Sequence, residues 1–116
     1  MPTEYILSED QEKWLTALES GEYKQCRSRL SDGAGFCCLG VGCVVLGMKE
    51  SEIAGAKGLL HSKKTRDILS RLRLRSSCGA GIKGNSALDR LNDWERLTLK
   101  QIAAVIRKDP SVYFHE

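Results

Sequence analysis

No stretch of this chain is apolar for long enough to cross a membrane. Its most hydrophobic run, residues 36–47, covers 12 residues, where a bilayer helix needs about 20. The opening residues Met1-Pro2-Thr3-Glu4 place no basic segment ahead of an apolar one, so no secretory leader is expected. A soluble, cytoplasmic protein is the expectation. Internal repeats and low-complexity segments are also lacking, and 116 residues suffice for one domain, 1–116, with a core of its own.

The cysteines lack the spacing of a metal site. Cys26, Cys37, Cys38, Cys43 and Cys78 form no C-x-x-C pair, with only His61 and His115 to complete a zinc set. Without a leader and with an odd count, they make no disulfide framework. Three of them fall inside the apolar run, where a reduced cysteine behaves as a small hydrophobe. Neither histidine lies in a signature that would activate a cysteine nucleophile, and no acid/base pair or phosphate-transfer motif is present. The sequence therefore points to a protein that is not an enzyme and needs no metal or cofactor.

What is present starts with Phe36-Cys37-Cys38-Leu39-Gly40-Val41-Gly42-Cys43-Val44-Val45-Leu46-Gly47, a run without charge that must be buried. Periodicity fits helix and strand equally. No convincing second strand exists to satisfy its backbone, so a helix is predicted. Gly40 and Gly42 each weaken a helix by about 1 kcal/mol relative to alanine, which implies close approach of another backbone or of a ligand.

Around this run the signals are helical. Ser8 and Gln11 form a capping box ahead of Trp14, Leu15 and Leu18, and Gly21 stops that helix. Residues 22–35 read as irregular. A basic amphipathic helix is predicted over 63–74, with Ile68, Leu69 and Leu72 on its apolar face. Residues 79–84 read as a loop, and Ser86 to Asp89 as the capped start of a short helix that carries Leu91 and Trp94 on its apolar side. Thr98 opens the last helix, which Asp109-Pro110 ends. The predicted architecture is all-α: a compact single domain of about five helices around a buried, Cys/Gly-rich central helix.

Several motifs together resemble a family of small proteins encoded widely in phages and prophages. They are Trp14, Ala17-Leu18, Ser20-Gly21, Tyr23 and Gln25; then Gly35 to Val41 with Cys43; then Leu91-Asn92-Asp93, Leu97-Thr98, Gln101-Ile102-Ala103 and Ile106. Cys26 stands where that family often has glycine, and Gly42 where it usually has leucine, which is expected to loosen the core. The resemblance implies the fold, a phage origin and residence in the cytoplasm of a host bacterial cell. A non-structural phage accessory protein of this kind is expected to act on host machinery, host defences included.

Charge is divided unevenly. Residues 1–56 carry a net −4, residues 57–83 a net +7 and residues 84–116 a net of zero. The middle block marks a surface for an anionic partner. Lys63, Lys64, Arg66, Arg71, Arg73 and Arg75 are the candidate ligand-binding residues, with Lys83, Gly84 and Asn85 after them. There Gly79-Ala80-Gly81-Ile82-Lys83-Gly84 spells G-x-G-x-x-G, without the preceding strand of a dinucleotide fold. Such a loop is either a plain linker or a phosphate cradle whose amides lie near Asn85.

Trp14, Phe36 and Trp94 read as core or core-edge residues. Tyr23, outside a regular helical face, is the ring placed to stack on a base. Asn92-Asp93 reads as local capping or as a substrate contact. No aromatic interrupts the basic residues from Lys57 to Arg75, which argues against nucleic acid as first choice.

The functional expectation is sequestration of an anionic, nucleotide-like defence signal. A protein–protein inhibitor of a host defence protein and a weak nucleic-acid binder are the alternatives. The sequence leaves self-association into a homo-oligomer open.

Overall fold

The computed structural model describes residues 5–82 and 84–115. Helix α1 (Glu9–Glu19) starts at Ser8, whose hydroxyl accepts from the Gln11 amide while Gln11 accepts from the Ser8 amide. It ends at Ser20, and Gly21 follows with a φ of +76°. The apolar run forms helix α2 (Cys38–Val45), as predicted. Helix α3 (Lys63–Arg71), the six-residue α4 (Leu88–Asp93) and α5 (Leu99–Lys108) complete the set. Short 3₁₀ turns lie at Glu50–Glu52 and Pro110–Val112.

Helix α1 packs on both α5 and α2, α2 also meets α3 and α4, and α4 rests on α5. One core results, with Trp14, Leu15, Leu39, Ile102, Ile106 and Phe114 almost fully buried. Among the described residues there are only isolated bridge pairs and no strand, so the all-α expectation holds. No helix of the described residues is long and apolar enough to cross a membrane.

The irregular segment 22–37 is pinned by specific bonds. The Cys26 amide donates to the Phe36 carbonyl at 3.0 Å, the Phe36 amide to Lys24 at 2.7 Å and the Cys37 amide to Leu30 at 3.1 Å. Gly40 is where α2 crosses this segment: a Cβ there would lie 2.0 Å from the Leu30 carbonyl oxygen. Gly42 packs against Leu72 and Trp14, whose nearest atoms lie 3.1 and 3.2 Å from where its Cβ would be. The expected loosening of the core at Gly42 is thus corrected, because neighbouring side chains fill the space.

Three further expectations change. The basic helix ends at Arg71 instead of Leu74, because the chain turns through Arg73 at a φ of +56° and Leu74 then bridges Phe114. Helix α4 starts at Leu88 behind Ala87, which makes no side-chain cap, so Ser86 caps nothing. Trp94 is 81% exposed and does not belong to the core, since α4 stops at Asp93 before its ring can turn inward.

Candidate functional site

The basic block does not form one surface. Lys63 pairs with Asp67 at 3.6 Å and Lys64 with Glu52. Arg71 is bound by Asp10 at 3.1 Å and donates to the Leu46 carbonyl. These three cations are already compensated. Arg75 donates to the carbonyls of Ser111 and Phe114, and Arg73, whose own carbonyl accepts from the His115 amide at 2.8 Å, precedes it by two residues in the turn that follows α3. Arg66 donates to the Leu60 carbonyl at 3.3 Å. Among the described residues, Lys57, Arg66, Arg73 and Arg75 have no carboxylate partner.

The other predicted site residues lie apart from this group. Tyr23 packs edge-on against Phe36 with ring centroids 6.0 Å apart, and lines a small cavity with Glu19, Gln25 and Lys100. Asn85 lines a different cavity, of about 460 Å³, with Lys108, Asp109 and Tyr113. Lys83 lies outside the described residues. Neither the Tyr23 cavity nor the Asn85 cavity is lined by any of the arginines of 66–75.

Several amides of the glycine loop already have acceptors within the fold. The amides of Gly79, Ile82 and Asn85 donate to the carbonyls of Ser76, Val112 and Ile82, and the Ala80 amide to the Ser76 hydroxyl. At the start of α4 the Leu88 and Asp89 amides donate to Gly79 and Cys78. Of the amides expected near Asn85, those of Asn85, Leu88 and Asp89 are therefore engaged within the fold. Gly79 has a packing role instead: with a φ of +74°, its missing Cβ would lie 2.7 Å from the Leu88 side chain.

Of the cations without a carboxylate partner, Lys57 lines a cavity of about 440 Å³ between the loop before α3, the turn at residues 76–78 and the first turn of α4. Lys57, Leu60 and His61 come from the loop, Ser77 and Cys78 from the turn, Asp89 from α4, and Leu39 of α2 lies at its wall. Arg66 joins the rim through its bond to the Leu60 carbonyl. The volume falls in the range of small-molecule sites, about 300–1,000 Å³. The Asn85 cavity is as large and also places a lysine, Lys108, with an aspartate, Asp109, but no histidine stands beside them.

Chemically, the cavity combines a lysine, a histidine, an aspartate and a partly accessible cysteine with apolar side chains. Cys78 lies 3.2 Å from the Ser76 hydroxyl, and no hydrogen bond joins it to His61 among the described residues. A nucleophile–base pair is therefore not assembled here. Sequence reasoning passed over Lys57, Cys78 and Asp89 because they lie in separate loops and turns with no shared motif.

Fold and cavity together define a small all-α domain with a pocket lined by Lys57 and His61. The chain belongs to the family DUF8296, a domain of unknown function, which matches residues 7–70 and so takes in α1, α2 and nearly all of α3. Lys57, Leu60 and His61 fall inside the matched segment, while Cys78 and Asp89 lie beyond it. No curated protein and no solved structure matches the chain.

Proposed function

We propose that this protein binds and sequesters a small anionic, nucleotide-like molecule without transforming it. The observation that carries the reading is the 440 Å³ cavity, where the ammonium of Lys57 and the His61 imidazole stand beside the apolar side chains of Leu39 and Leu60. Cations with no carboxylate partner attract phosphate, and an apolar wall accepts the flat face of a base. Arg66 extends the positive field to the rim. The resemblance of the tryptophan- and cysteine-containing motifs to small phage and prophage proteins supports a role for this binding in countering host defence.

The test is thermal unfolding of the whole chain against cyclic oligonucleotides, cyclic ADP-ribose isomers, ordinary nucleotides and short single-stranded DNA. A ligand at about 1,000 times its dissociation constant adds roughly 4 kcal/mol of stability. The expected result is a clear shift with one nucleotide, lost in Lys57→Glu. No shift across the panel rejects the reading.

A second reading, docking on a host protein, is favoured by the solvent-facing indole of Trp94 beside Arg90 and Asp93. Tryptophan and arginine are over-represented among residues that dominate protein interfaces. Loss of partner capture from host extract in Trp94→Ala, with nucleotides inert, would select it.

A further inference from the structure

One residue of the cavity is not explained by attraction of an anion. Asp89 is half-buried and makes no ion pair with any lysine or arginine among the described residues. Burial raises its pKa; backbone hydrogen bonds oppose that rise and the charge of Asp93 adds to it. Lys57 lines the same cavity, yet its nitrogen is more than 4.0 Å from the carboxylate, so the two groups face the space without neutralising each other. A carboxylate held in this way costs stability, and groups so placed in a cleft are commonly functional.

The cavity thus has three kinds of wall. Lys57 and His61 suit an anion, Leu39 and Leu60 suit an apolar body, and Asp89, whose carboxylate also accepts from backbone amides of α4, keeps acceptor lone pairs on its two oxygens. A ligand matching all three needs a phosphate, a flat ring and two adjacent N–H donors on one edge. We infer that the ligand is a guanine nucleotide, with Asp89 accepting from N1–H and the 2-amino group of the base while Lys57 faces the phosphate.

This inference rests on the sequestration reading above. Among purines, guanine alone presents that donor pair: hypoxanthine keeps only N1–H, and adenine offers a bare N1 lone pair that a carboxylate repels. A charge-assisted, bidentate contact is the strong form of such a hydrogen bond, and it supplies base choice as well as affinity.

Calorimetric titration of the full chain with GMP, IMP and AMP, and with guanosine and adenosine, tests it. GMP is expected to bind about tenfold or more tightly than AMP, as one good bidentate contact discriminates, with IMP between them. Guanosine should bind more weakly than GMP but still ahead of adenosine. Asp89→Asn is expected to abolish the guanine preference while leaving AMP unchanged or improved. Lys57→Ala should weaken all three nucleotides alike and spare the nucleosides.

Asp89→Asn removes an uncompensated charge, so its melting point at or above wild type serves as the control for folding. Equal binding of all three nucleotides, unaltered by Asp89→Asn, overturns the base assignment and leaves the anion reading standing. Absence of binding by every nucleotide at millimolar concentration overturns both.

Discussion

Asn92 on α4 accepts the Cys38 amide at 3.2 Å and so satisfies the first turn of α2 from a residue 54 positions away. The same side chain accepts from Gln25 at 2.8 Å and donates to the Cys26 carbonyl at 2.9 Å. Three segments are thereby held at one fully buried amide. Both residues of Asn92-Asp93 serve distant segments: Asp93 accepts from the Ser28 amide at 2.9 Å.

Replacing Asn92 by alanine strands the Cys38 amide and the Cys26 carbonyl and leaves Gln25 only its bond to the Leu97 carbonyl. Leaving buried groups unpaired costs about 1–3 kcal/mol each. Asn92→Ala is expected to lose at least about 2 kcal/mol by urea unfolding. Asn92→Asp keeps the acceptor but loses the donor to Cys26, so its loss should be similar and should shrink at low pH, where a protonated carboxyl again donates. Wild-type stability in the alanine variant would show that the junction is dispensable.

Gly40 and Gly42 offer a paired test of why α2 carries two helix-weakening residues. At Gly40 the obstacle is backbone: the Leu30 carbonyl oxygen would lie 2.0 Å from a new Cβ, and the Cys37 amide already holds that carbonyl at 3.1 Å. Gly40→Ala therefore has to separate α2 from the loop and should cost about 3 kcal/mol or more. At Gly42 the neighbours are side-chain atoms of Leu72 and Trp14 at 3.1–3.2 Å. Small rotations accommodate that methyl, and the gain in helix propensity of about 1 kcal/mol offsets part of the strain. Gly42→Ala is expected to remain within about 1.5 kcal/mol of wild type. Equal effects at the two positions would contradict the backbone argument.

Native thiol reactivity separates the cysteines. Cys26, Cys37, Cys38 and Cys43 are buried, and Cys78 is partly accessible beside the cavity. Desolvation pushes the thiols of Cys37 and Cys43 up to about 12 and that of Cys38 well above its ordinary 9.0. The reactive species is the thiolate, so these core thiols are inert at neutral pH. A disulfide reagent at pH 8 is expected to modify one cysteine rapidly, identified as Cys78 by mass spectrometry, and all five only after unfolding. Rapid modification of two or more would mean that the core opens. A nucleotide seated in the cavity should slow the Cys78 reaction.

The elements were legible in the sequence where local chemistry decides them. Ser8 with Gln11 and Thr98 with Gln101 form both halves of a capping box, and in each case the helix begins where those residues place it. The uncharged run became α2 because no partner strand was available for it. The site was far less legible. Arg73 and Arg75 follow the helical spacing of Ile68 and Leu72, but a long-range pairing of Leu74 with Phe114 takes them off the helix. Pairing of Arg71 with Asp10, 61 residues away, is invisible to any window along the chain. The cavity residues Lys57, Cys78 and Asp89 acquire meaning only once α4 folds back over the 76–79 turn. A basic run reveals charge, and only tertiary structure reveals which of its charges remain uncompensated.

Arg107 ties α5 to both ends of α1. Its guanidinium lies 2.6 Å from Glu12 and 2.6 Å from Glu19, which are about two turns apart along the same helix face. Exposed pairs contribute about 0.2–1 kcal/mol each, and Arg107 is 31% exposed, so Arg107→Ala should cost about 1 kcal/mol. The hydrogen bond from Arg107 holds the Glu12 carboxyl below its ordinary 4.5. A lowered folded pKa supports stability fully above the unfolded value and loses it as pH falls through the folded one. The gap between wild type and Arg107→Ala is therefore expected to be constant from pH 6 to 8. Below about pH 4.5 it should narrow, and 1 M salt should narrow it at neutral pH. Melting curves of the two proteins over pH 3–8, with and without salt, check both dependences. A gap that persists unchanged at pH 3 would assign the loss to packing of the Arg107 stem instead of to its charge.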